Sequence, residues 1–535
     1  MLTSEQARAV SRFVTNTDKD VFALRNLPDV VKGALFSRYS RSAKGLREIL
    51  LTEFLQNQDV SVNEASDVAT KKAEEFYDRV LVEYGDDSVA ELGGAHIALE
   101  NVSMIATKLV EDSRIGLSPL EKSTRYVYFN EKENGKYKYC REPAIMQSRF
   151  ASLYEETCDA LFDAYSELLE PMKAHIMKMF PKPVDMSDRA YVFTVRAKAC
   201  DILRVFLPAS TLTNMGIYGN GRAFEYLLTK LYASRLGEIR GVARSMHEEL
   251  RKVIPSFVKR PDETHGIEYI NYLKETDDGT KRAVLSMVKD VYDTEEVVLV
   301  NYDKDGEDKI VAAILYFHSQ MPMEQCMNVA KGMGAPEKEK LMDEYTARRS
   351  NRRHRPGRAF ENSYYTFDML GNFGIYRDLH RHRVLTQQRQ LLTANFGYDV
   401  PVELKEIGAE QRYHELMKKA REAWLAIGKE MPHEAQYVVP FGFRIRWYFT
   451  LNARELYHLT ELRTVQQGHS DYRRICQKIA RLAQGAHPVV FKNMKFVDFN
   501  SYAMERSEAE KRIDKKTEDM EKKYGKVDSG FGDSQ

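Results

Sequence analysis

The sequence predicts an α+β protein that consists of two tandem copies of one helix-rich domain, each with a small antiparallel sheet. Three observations predict this class: helical spacing over most of the chain, a few strand-like segments, and motifs shared by the two halves at a constant offset. A chain of 535 residues is too long for one ordinary core, and its hydrophobic fraction of 43% can fill two or more.

Helical spacing of apolar residues is the main pattern, and strand patterns are fewer. Residues 297–317 combine an apolar run, a turn at 303–306 and a second run that enters a helix near Ala312. Residues 127–143 resemble a polar hairpin around Asn134-Gly135. The predicted helices span 28–56, 64–114, 148–178, 187–206, 222–253, 410–430 and 452–485.

An internal duplication is indicated by the spacing between matched residues. Pro208 matches Pro440, Asn220 matches Asn452 and Arg222 matches Arg454, and each pair is 232 positions apart. Two helices of similar composition would not keep one offset through Pro, Asn and Arg by chance. The polar, turn-rich stretch 255–281 separates the halves, so we place the first domain at 1–280 and the second at 281–505.

Charge and cysteine content exclude several classes. With 80 Lys and Arg against 79 Asp and Glu, the formal charge of +1 gives no whole-chain attraction for nucleic acid. Five dispersed cysteines without a CxxC pair argue against a disulfide framework or a cysteine zinc site, and no metal site is predicted. No stretch reaches the roughly 18 apolar residues of a membrane span. We expect a cytoplasmic protein, with a charged segment 506–535 that forms a frayed helix and then a disordered end.

Three local patterns could carry chemistry, although each has an ordinary structural explanation. Arg381-His382-Arg383 can fork onto phosphate oxygens, but consecutive basic residues are commonly a solvated turn. Glu121, Ser123 and Arg125 would face one side of an extended loop, as they would on any strand edge. Asn220 and Asn452 are typical helix caps, each followed by an arginine that could reach an anion, and these arginines are Arg222 and Arg454.

Together these motifs resemble the flavin-dependent thymidylate synthases. The family has an RHR triplet, a downstream substrate loop, an R-x-x-L-P motif, an N-A-R motif and an L-R motif, preceded by a G-H-x-[ST]-x-x-E-H segment. Both halves of the chain look like copies of this domain over about 30–500.

Each copy keeps what the other has lost. The first copy retains Ser88 and Glu91 of the early segment, without its histidines, and keeps the substrate loop, Arg204 and Asn220-Gly221-Arg222. Its RHR position falls on Ser113-Arg114-Ile115 or on Glu111-Asp112-Ser113. The second copy keeps Glu361, Arg381-His382-Arg383, Asn452-Ala453-Arg454 and Leu462-Arg463, whereas its substrate loop has become Arg389, Leu391 and Thr393 and its R-x-x-L-P arginine is Gln436. Asp378 stands where the family has Gln three residues before RHR.

The resemblance implies one composite active site between the two halves. The family reaction is the reductive methylation of dUMP to dTMP with FAD, methylenetetrahydrofolate and NADPH. The implied catalytic residues are Ser123, Arg125 and Arg381, and the implied substrate-binding set adds Glu121, Arg204 and Arg463. FAD would be held by Arg381, His382, Arg383, Asn452 and Arg454, with contributions from Ser88, Glu91, Asn220 and Arg222. Because the family forms homotetramers, a homodimer of this chain would reproduce four domains.

Two other interpretations remain open. The chain could be a catalytically inactive paralogue that keeps a nucleotide or flavin pocket. Alternatively, nucleic acid could bind through phosphate contacts, with an affinity that falls steeply with salt, to the run Arg348-Arg349-Ser350-Asn351-Arg352-Arg353-His354-Arg355-Pro356-Gly357-Arg358. The run lies just before Glu361, so a role near anionic cofactors competes with that interpretation, and we do not expect a nucleic-acid partner.

Overall fold

The computed structural model describes residues 3–55 and 90–525. Its helices are α1 (Ser4–Val10), α2 (Asp29–Tyr39), α3 (Leu46–Ile49), α4 (Met104–Glu111), α5 (Pro143–Met146), α6 (Ala151–Met179), α7 (Asp188–Leu203), α8 (Gly221–Tyr232), α9 (Gly237–Val253), α10 (Thr264–Leu285), α11 (Gly306–Phe317), α12 (Met323–Gly332), α13 (Ala335–Thr346), α14 (Phe373–Leu379), α15 (Val402–Glu406), α16 (Glu410–Gly428), α17 (Ala453–Arg463), α18 (Ser470–Ala486), α19 (Pro488–Phe491) and α20 (Ser507–Tyr524). Its strands are β1 (Gly94–Ser103), β2 (Leu117–Glu121), β3 (Lys132–Glu133), β4 (Lys136–Tyr137), β5 (Leu212–Asn220), β6 (Val297–Tyr302), β7 (Tyr364–Asn372), β8 (Leu385–Arg389) and β9 (Arg444–Asn452).

The two copies have antiparallel sheets of the same topology, which confirms the predicted tandem arrangement. The first copy orders its strands β1-β5-β2, and the second orders them β7-β9-β8 with β6 added beside β7. The registers also match: Gly94 pairs with Asn220 in the first sheet, and Tyr364 pairs with Asn452 in the second. Asn220 and Asn452 therefore occupy equivalent places as the last residues of the two central strands.

Both central strands lead directly into a helix, and the asparagine at the junction is the reason. Asn220 accepts a hydrogen bond from the Ala223 amide at the start of α8, and Asn452 accepts one from the Glu455 amide at the start of α17. Each side chain satisfies an amide that has no partner within the helix. The predicted caps are thus confirmed in both copies.

Residues that are equivalent in the repeat also pair with each other. Pro208 and Pro440 form an isolated antiparallel bridge. On either side of it, the Ala209 amide donates to the Val439 carbonyl at 2.9 Å, and the Phe441 amide donates to the Leu207 carbonyl at 2.9 Å. This reciprocity is the signature of a local twofold axis, as at a symmetric dimer interface.

The compact units of the structure do not coincide with the two sequence repeats. One unit comprises Met1–Lys122 and Leu212–Asp290, and the other comprises Ser123–Thr211 and Val291–Gln535. The second unit therefore contains part of the first copy, from Ser123 in the substrate loop through Arg204. It also contains the Pro208–Pro440 axis.

Most predicted elements are found, with some differences. The predicted helices 28–56, 222–253 and 452–485 are each interrupted within their length. Residues 94–103, predicted as part of a helix, form β1. Ala95 and Leu99 are buried on one face, as strand alternation allows, and a bulge with Asn101 at φ 55° shifts the next buried position to Val102. The polar stretch 255–281 was predicted as turn-rich, but it contains most of α10, whose described side chains are largely exposed. The first part of the 64–114 prediction, through 89, lies outside the described residues.

The hairpin at Asn134-Gly135 is confirmed, since both residues have positive φ between β3 and β4. In the charged segment after 505, α20 packs along α7, with Lys511 Nζ 2.6 Å from the Asp185 carboxylate.

Candidate active site

Arg125, from the substrate loop of the first copy, is buried against a carboxylate on α7. Its Nε lies 2.7 Å from Asp201 Oδ1 and its Nη2 lies 2.6 Å from Asp201 Oδ2, which is a bidentate ion pair. Burial raises the pKa of Asp201, but Arg125 and His469 outweigh burial and hold it below its usual range. Arg125 is therefore fixed in place, and its Nη1 reaches the Gln467 carbonyl at 3.4 Å.

The loop around Arg125 is a turn rather than an extended segment. β2 ends at Glu121, and the Arg125 amide donates to Ser123 Oγ at 3.2 Å. The predicted alternation of side chains therefore stops before Arg125. Within the described part of the chain, no histidine or carboxylate is hydrogen-bonded to the Ser123 hydroxyl. This agrees with a positioning role for Ser123 and not with a nucleophilic role.

Arg204, the R-x-x-L-P arginine, forms a second buried ion pair. Its Nη1 lies 3.0 Å from Asp378 Oδ2, and its side chain is 3% exposed. Burial raises the pKa of Asp378, but Arg204 and Arg125 more than offset this and keep that carboxyl ionised. Among the described residues, no hydrogen-bond partner faces Arg204 Nη2. A methyl group at Gly374 would lie 3.1 Å from this guanidinium, so the glycine permits the close approach.

The L-R arginine of the second copy reaches the same neighbourhood through Tyr472. The Arg463 guanidinium carbon lies 5.9 Å from the centre of the Tyr472 ring. Burial raises the pKa of Tyr472, and Arg125, Asp378 and Arg463 are the charged groups that act on this phenol. The charges of Arg125 from the first copy and Arg463 from the second therefore both act on Tyr472.

A cavity of about 610 Å³ lies beside Arg204 and Asp201. Residues 198–205 of the first copy form one part of its wall, and Asn372, His469 and Tyr502 of the second copy contribute elsewhere. Arg204 presents buried positive charge at this wall. The cavity combines charged and apolar surface, as do pockets that bind small polar ligands.

The RHR triplet of the second copy alternates between solvent and the interior. Arg381 and Arg383 are exposed, whereas His382 is buried and contacts Arg463 and Glu455. The Arg463 Nε lies 3.0 Å from His382 Nε2, so the triplet and the L-R motif are joined by a direct hydrogen bond. Arg454 lies at the start of α17, where it pairs with Glu361 at 3.1 Å.

The RHR triplet is joined to the first turn of α17 by the contact of His382 with Glu455, and the exposed guanidiniums of Arg381, Arg383 and Arg454 are called the cationic surface below. Arg381 and Arg383 lie on either side of His382 in the chain, and Arg454 is one-third exposed. Guanidiniums match phosphate oxygens in geometry, and a helix start adds positive potential. The chemistry of the donors is therefore appropriate for the FAD diphosphate.

A cation would fit the same place poorly. His382, Glu455 and His458 offer ligand-type atoms within 4.8 Å of one another. However, Arg463 donates to His382 and Arg355 donates to His458, so a metal ion would have to displace two guanidiniums. We therefore interpret His382 and Glu455 as a hydrogen-bonded pair, with His458 close to it.

The remaining predicted site residues belong to the other compact unit. Glu121 is buried there, 3.1 Å from Thr107 Oγ1 and 2.9 Å from Lys108 Nζ, which places it in an interior ion pair. Glu91 and Arg222 form an exposed pair at 2.8 Å that corresponds to the Glu361–Arg454 pair of the second copy. Ser88 lies outside the described residues.

In the second copy, Gln436 occupies the position equivalent to Arg204 and is hydrogen-bonded to the segment that replaces the substrate loop. Gln436 Oε1 accepts hydrogen bonds from the Leu392 amide at 3.0 Å and from Arg389 Nη1 at 3.3 Å. A neutral amide thus fills the position that carries a buried cation in the first copy. The two copies differ here as the sequence comparison predicted.

Sequence reasoning missed Asp201, Tyr472, Glu455 and His458. The family motifs do not include these residues, and no local pattern marks them. Asp201 was detectable only as a carboxylate three residues before Arg204 in the sequence. Glu455 and His458 come directly after the N-A-R motif. Their spacing of three residues puts two titratable groups on one face of α17, and this was the signal that could have found them.

Comparisons with known proteins agree with this architecture. The model of the family described as "Thymidylate synthase complementing protein" matches residues 42–256 and 298–489. A UPF0159 protein of Chlamydia pneumoniae is 44% identical over 521 residues, which cover 95% of this chain and 98% of that protein. A flavin-dependent thymidylate synthase of Sulfolobus acidocaldarius is 31% identical over 173 residues, covering 30% of this chain and 66% of that protein.

One solved structure, described as a UMP/dUMP methylase PolB from Streptomyces cacaoi bound with 5-Br dUMP, is 17% identical with a TM-score of 0.30 and covers 37% of this chain and 93% of that one. Across the described ranges, every helix falls short of the length or apolar character that crossing a membrane requires. Because the family model matches most of the chain in two successive segments, the chain belongs to the thymidylate synthase complementing protein family, the family of the flavin-dependent thymidylate synthases.

Proposed function

We propose that the protein is an FAD-dependent thymidylate synthase that methylates dUMP to dTMP with methylenetetrahydrofolate and NADPH, at one composite site per chain. The main support is that one compact unit contains the arginines of both copies that we assign to the nucleotide. Arg125 and Arg204 come from the first copy and Arg463 from the second, and Arg125 and Arg463 both act on Tyr472. Family membership supplies the reaction class.

In this proposal the guanidiniums bind and orient the nucleotide. Arg125, Arg204 and Arg381 bind the phosphate and the pyrimidine, and Arg463 completes the site. Because Arg125 and Arg204 are buried, their charge acts in a low dielectric and stabilises negative charge that develops on the uracil ring. Ser123 positions the substrate. Glu121 remains a proposed contributor to substrate binding, because the loop that carries Ser123 and Arg125 begins at this residue.

FAD, when bound, supplies the redox and carrier chemistry of the reaction. The cationic surface of Arg381, Arg383 and Arg454 would hold its diphosphate, and His382 would orient the groups beside it. Asn452 keeps the start of α17 in place. Ser88, Glu91, Asn220 and Arg222 remain proposed contributors from the first copy. We also propose a cytoplasmic homodimer, since two chains would provide the four domains of the family assembly.

One observation favours a second candidate, an inactive paralogue that binds a nucleotide or a flavin. Asp201 and Asp378 already neutralise Arg125 and Arg204, so an incoming phosphate has to compete with a buried carboxylate and a partly buried one. If that competition fails, the site binds neutral or flavin groups without turnover. The choice between the two candidates depends on whether dUMP can accept a hydrogen bond from Arg204 Nη2. Among the described residues, this nitrogen has no acceptor.

The test is product formation by the purified protein after it has been loaded with FAD. With dUMP, methylenetetrahydrofolate and NADPH, we expect dTMP to accumulate and NADPH to be oxidised only when dUMP is present. An Arg381→Ala variant, whose exposed side chain makes a general folding defect unexpected, should form at least about 100-fold less dTMP. Flavin binding with no dTMP would instead support the inactive paralogue, and failure to bind either flavin or dUMP would exclude both candidates.

A further inference from the structure

His382 connects the arginine of the L-R motif to a buried carboxylate. Its Nε2 lies 3.0 Å from Arg463 Nε, and its Nδ1 lies 2.8 Å from Glu455 Oε1. His382 and Glu455 are each about 5% exposed. The two contacts therefore place an imidazole between a guanidinium and a carboxylate, away from bulk water.

The chemistry of the partners determines the tautomer of this imidazole. A guanidinium N–H can only donate, so His382 Nε2 must accept from Arg463. The ring proton then resides on Nδ1 and is donated to Glu455, which must be an acceptor. This arrangement requires a neutral His382, it is strongest when Glu455 is ionised, and it orients Arg463 Nε toward the ring.

Protonation of Glu455 weakens this arrangement, because a neutral carboxyl is a poorer acceptor than a carboxylate and can also act as a donor. When the carboxyl donates its own proton to His382 Nδ1, the ring carries its proton on Nε2. That N–H would face the Arg463 N–H, and two donors in contact repel each other. Arg463 would therefore lose its anchor and adopt another orientation.

Within residues 3–55 and 90–525, the titratable and charged groups around the His382–Glu455 pair come from three elements. His458, Arg454 and Arg463 lie on α17 with Glu455, His380 lies beside His382 in the segment after α14, and Arg355 comes from the loop before β7. Burial raises the pKa of Glu455 to about 7, even though these cations lower it. Burial and Arg463 hold the pKa of His382 well below its usual range, and burial lowers the pKa of His458 to about 4. Of His382, His458 and Glu455, Glu455 is thus the group that changes charge near neutral pH.

We propose that Glu455 is a positioning residue that anchors Arg463 through His382, so that binding of the pyrimidine nucleotide is coupled to release of one proton from Glu455 to solvent. The inference rests on the proposed function, because it requires Arg463 to bind the nucleotide. It goes beyond that function in naming a residue outside the family motifs and a pH dependence of nucleotide binding.

The direction of the effect follows from the proton balance. The folded-state pKa of Glu455 is raised, so the proton is present below about pH 7 and is lost above it. The anchored form therefore prevails at pH 8 and the unanchored form at pH 6. If binding requires the anchored form, affinity is about tenfold lower at pH 6 than at pH 8, beyond any change caused by titration of the dUMP phosphate itself.

The experiment measures dUMP binding by titration calorimetry on the full-length protein, at pH 6, 7 and 8 and in buffers with different heats of ionisation. Differences in heat between buffers give the number of protons released. Wild type is compared with Glu455→Gln, whose amide oxygen can accept the His382 proton at every pH. Glu339→Gln, an exposed carboxylate paired with Lys492, is the matched control.

We expect wild type and Glu339→Gln to release about half a proton more at pH 7 than Glu455→Gln, and only they should show the additional tenfold loss of affinity at pH 6. His382→Gln should also lose the additional release, because it breaks the connection while Glu455 remains. If dUMP binds but Glu455→Gln and wild type release equal numbers of protons, the inference is wrong and the proposed function stands. If wild type does not bind dUMP at any pH, the proposed function is wrong, and the inference falls with it.

Discussion

Replacing Arg381 by alanine is expected to weaken dUMP binding on the order of 100-fold while leaving the thermal unfolding temperature nearly unchanged. The side chain is exposed, so its loss should disturb packing little, but a charge-assisted contact to an anionic ligand is worth roughly 2–5 kcal/mol. Binding is measured by calorimetry with FAD present. This variant tests the contribution of the second copy to the proposed site.

The corresponding test of the first copy removes Arg125. It is made in a variant that also lacks the Asp201 carboxylate, so that no buried carboxylate is left without its partner. Removing Arg125 alone would leave Asp201 uncompensated and destabilise the fold. We therefore compare the Arg125→Met/Asp201→Asn double variant with Asp201→Asn alone. The double variant is expected to lose dUMP affinity by about as much as Arg381→Ala, and the single variant should retain binding. If either copy's arginine can be removed without loss of affinity, the two copies do not share one pocket.

Replacing Arg349 by methionine is expected to lower the free energy of unfolding by roughly 3–5 kcal/mol, because a buried carboxylate would lose its partner. Arg349 donates to both oxygens of Glu461 and, at 2.9 Å, to the Asn493 carbonyl, and it is 6% exposed. Urea unfolding followed by circular dichroism measures the change.

Arg353 provides the matched control because it lies in the same basic run but is exposed. Arg353→Met should change stability by less than about 0.5 kcal/mol. The pair of variants also bears on nucleic-acid binding, since Arg349 cannot be both an interior ion-pair partner and a phosphate contact. Equal stability losses in the two variants would contradict the structural role assigned to Arg349, and steeply salt-dependent RNA or DNA binding that requires Arg353 would favour a nucleic-acid interface.

The duplicated fold could be predicted because the two helix caps that mark it, Asn220 and Asn452, depend only on residues close in sequence. An asparagine that ends a strand and caps the next helix needs only neighbouring residues, so Asn220 and Asn452 show the same pattern in sequence and structure. The Gly-bearing turn at 303–306 and the Asn134-Gly135 hairpin were predictable for the same reason. The helix prediction for β1 was wrong because buried Ala95 and Leu99 are four residues apart and the bulge puts buried Val102 three residues further on, spacings that a helix also shows.

The counter-ions of the site could not be predicted, because they are distant in sequence. Asp201 is 76 positions from Arg125, and Asp378 is 174 positions from Arg204. From the sequence, Asp378 was only a difference from the family's Gln at this position. In the structure, Asp378 is the ion-pair partner of the buried Arg204. The joining of His382 to both Arg463 and Glu455 likewise depends on tertiary packing of α17 against the segment after α14.

The central claim, one composite site per chain, is tested most directly by the number of FAD and dUMP molecules bound. The visible absorption spectrum of the protein is recorded as FAD and then dUMP are added, with protein concentration determined independently. The account predicts saturation at about one FAD per chain and a shift of the flavin bands when about one dUMP per chain is added. Two FAD molecules per chain would contradict it by indicating that both symmetric sites work, and a protein that takes up no FAD would contradict the flavin-dependent assignment altogether.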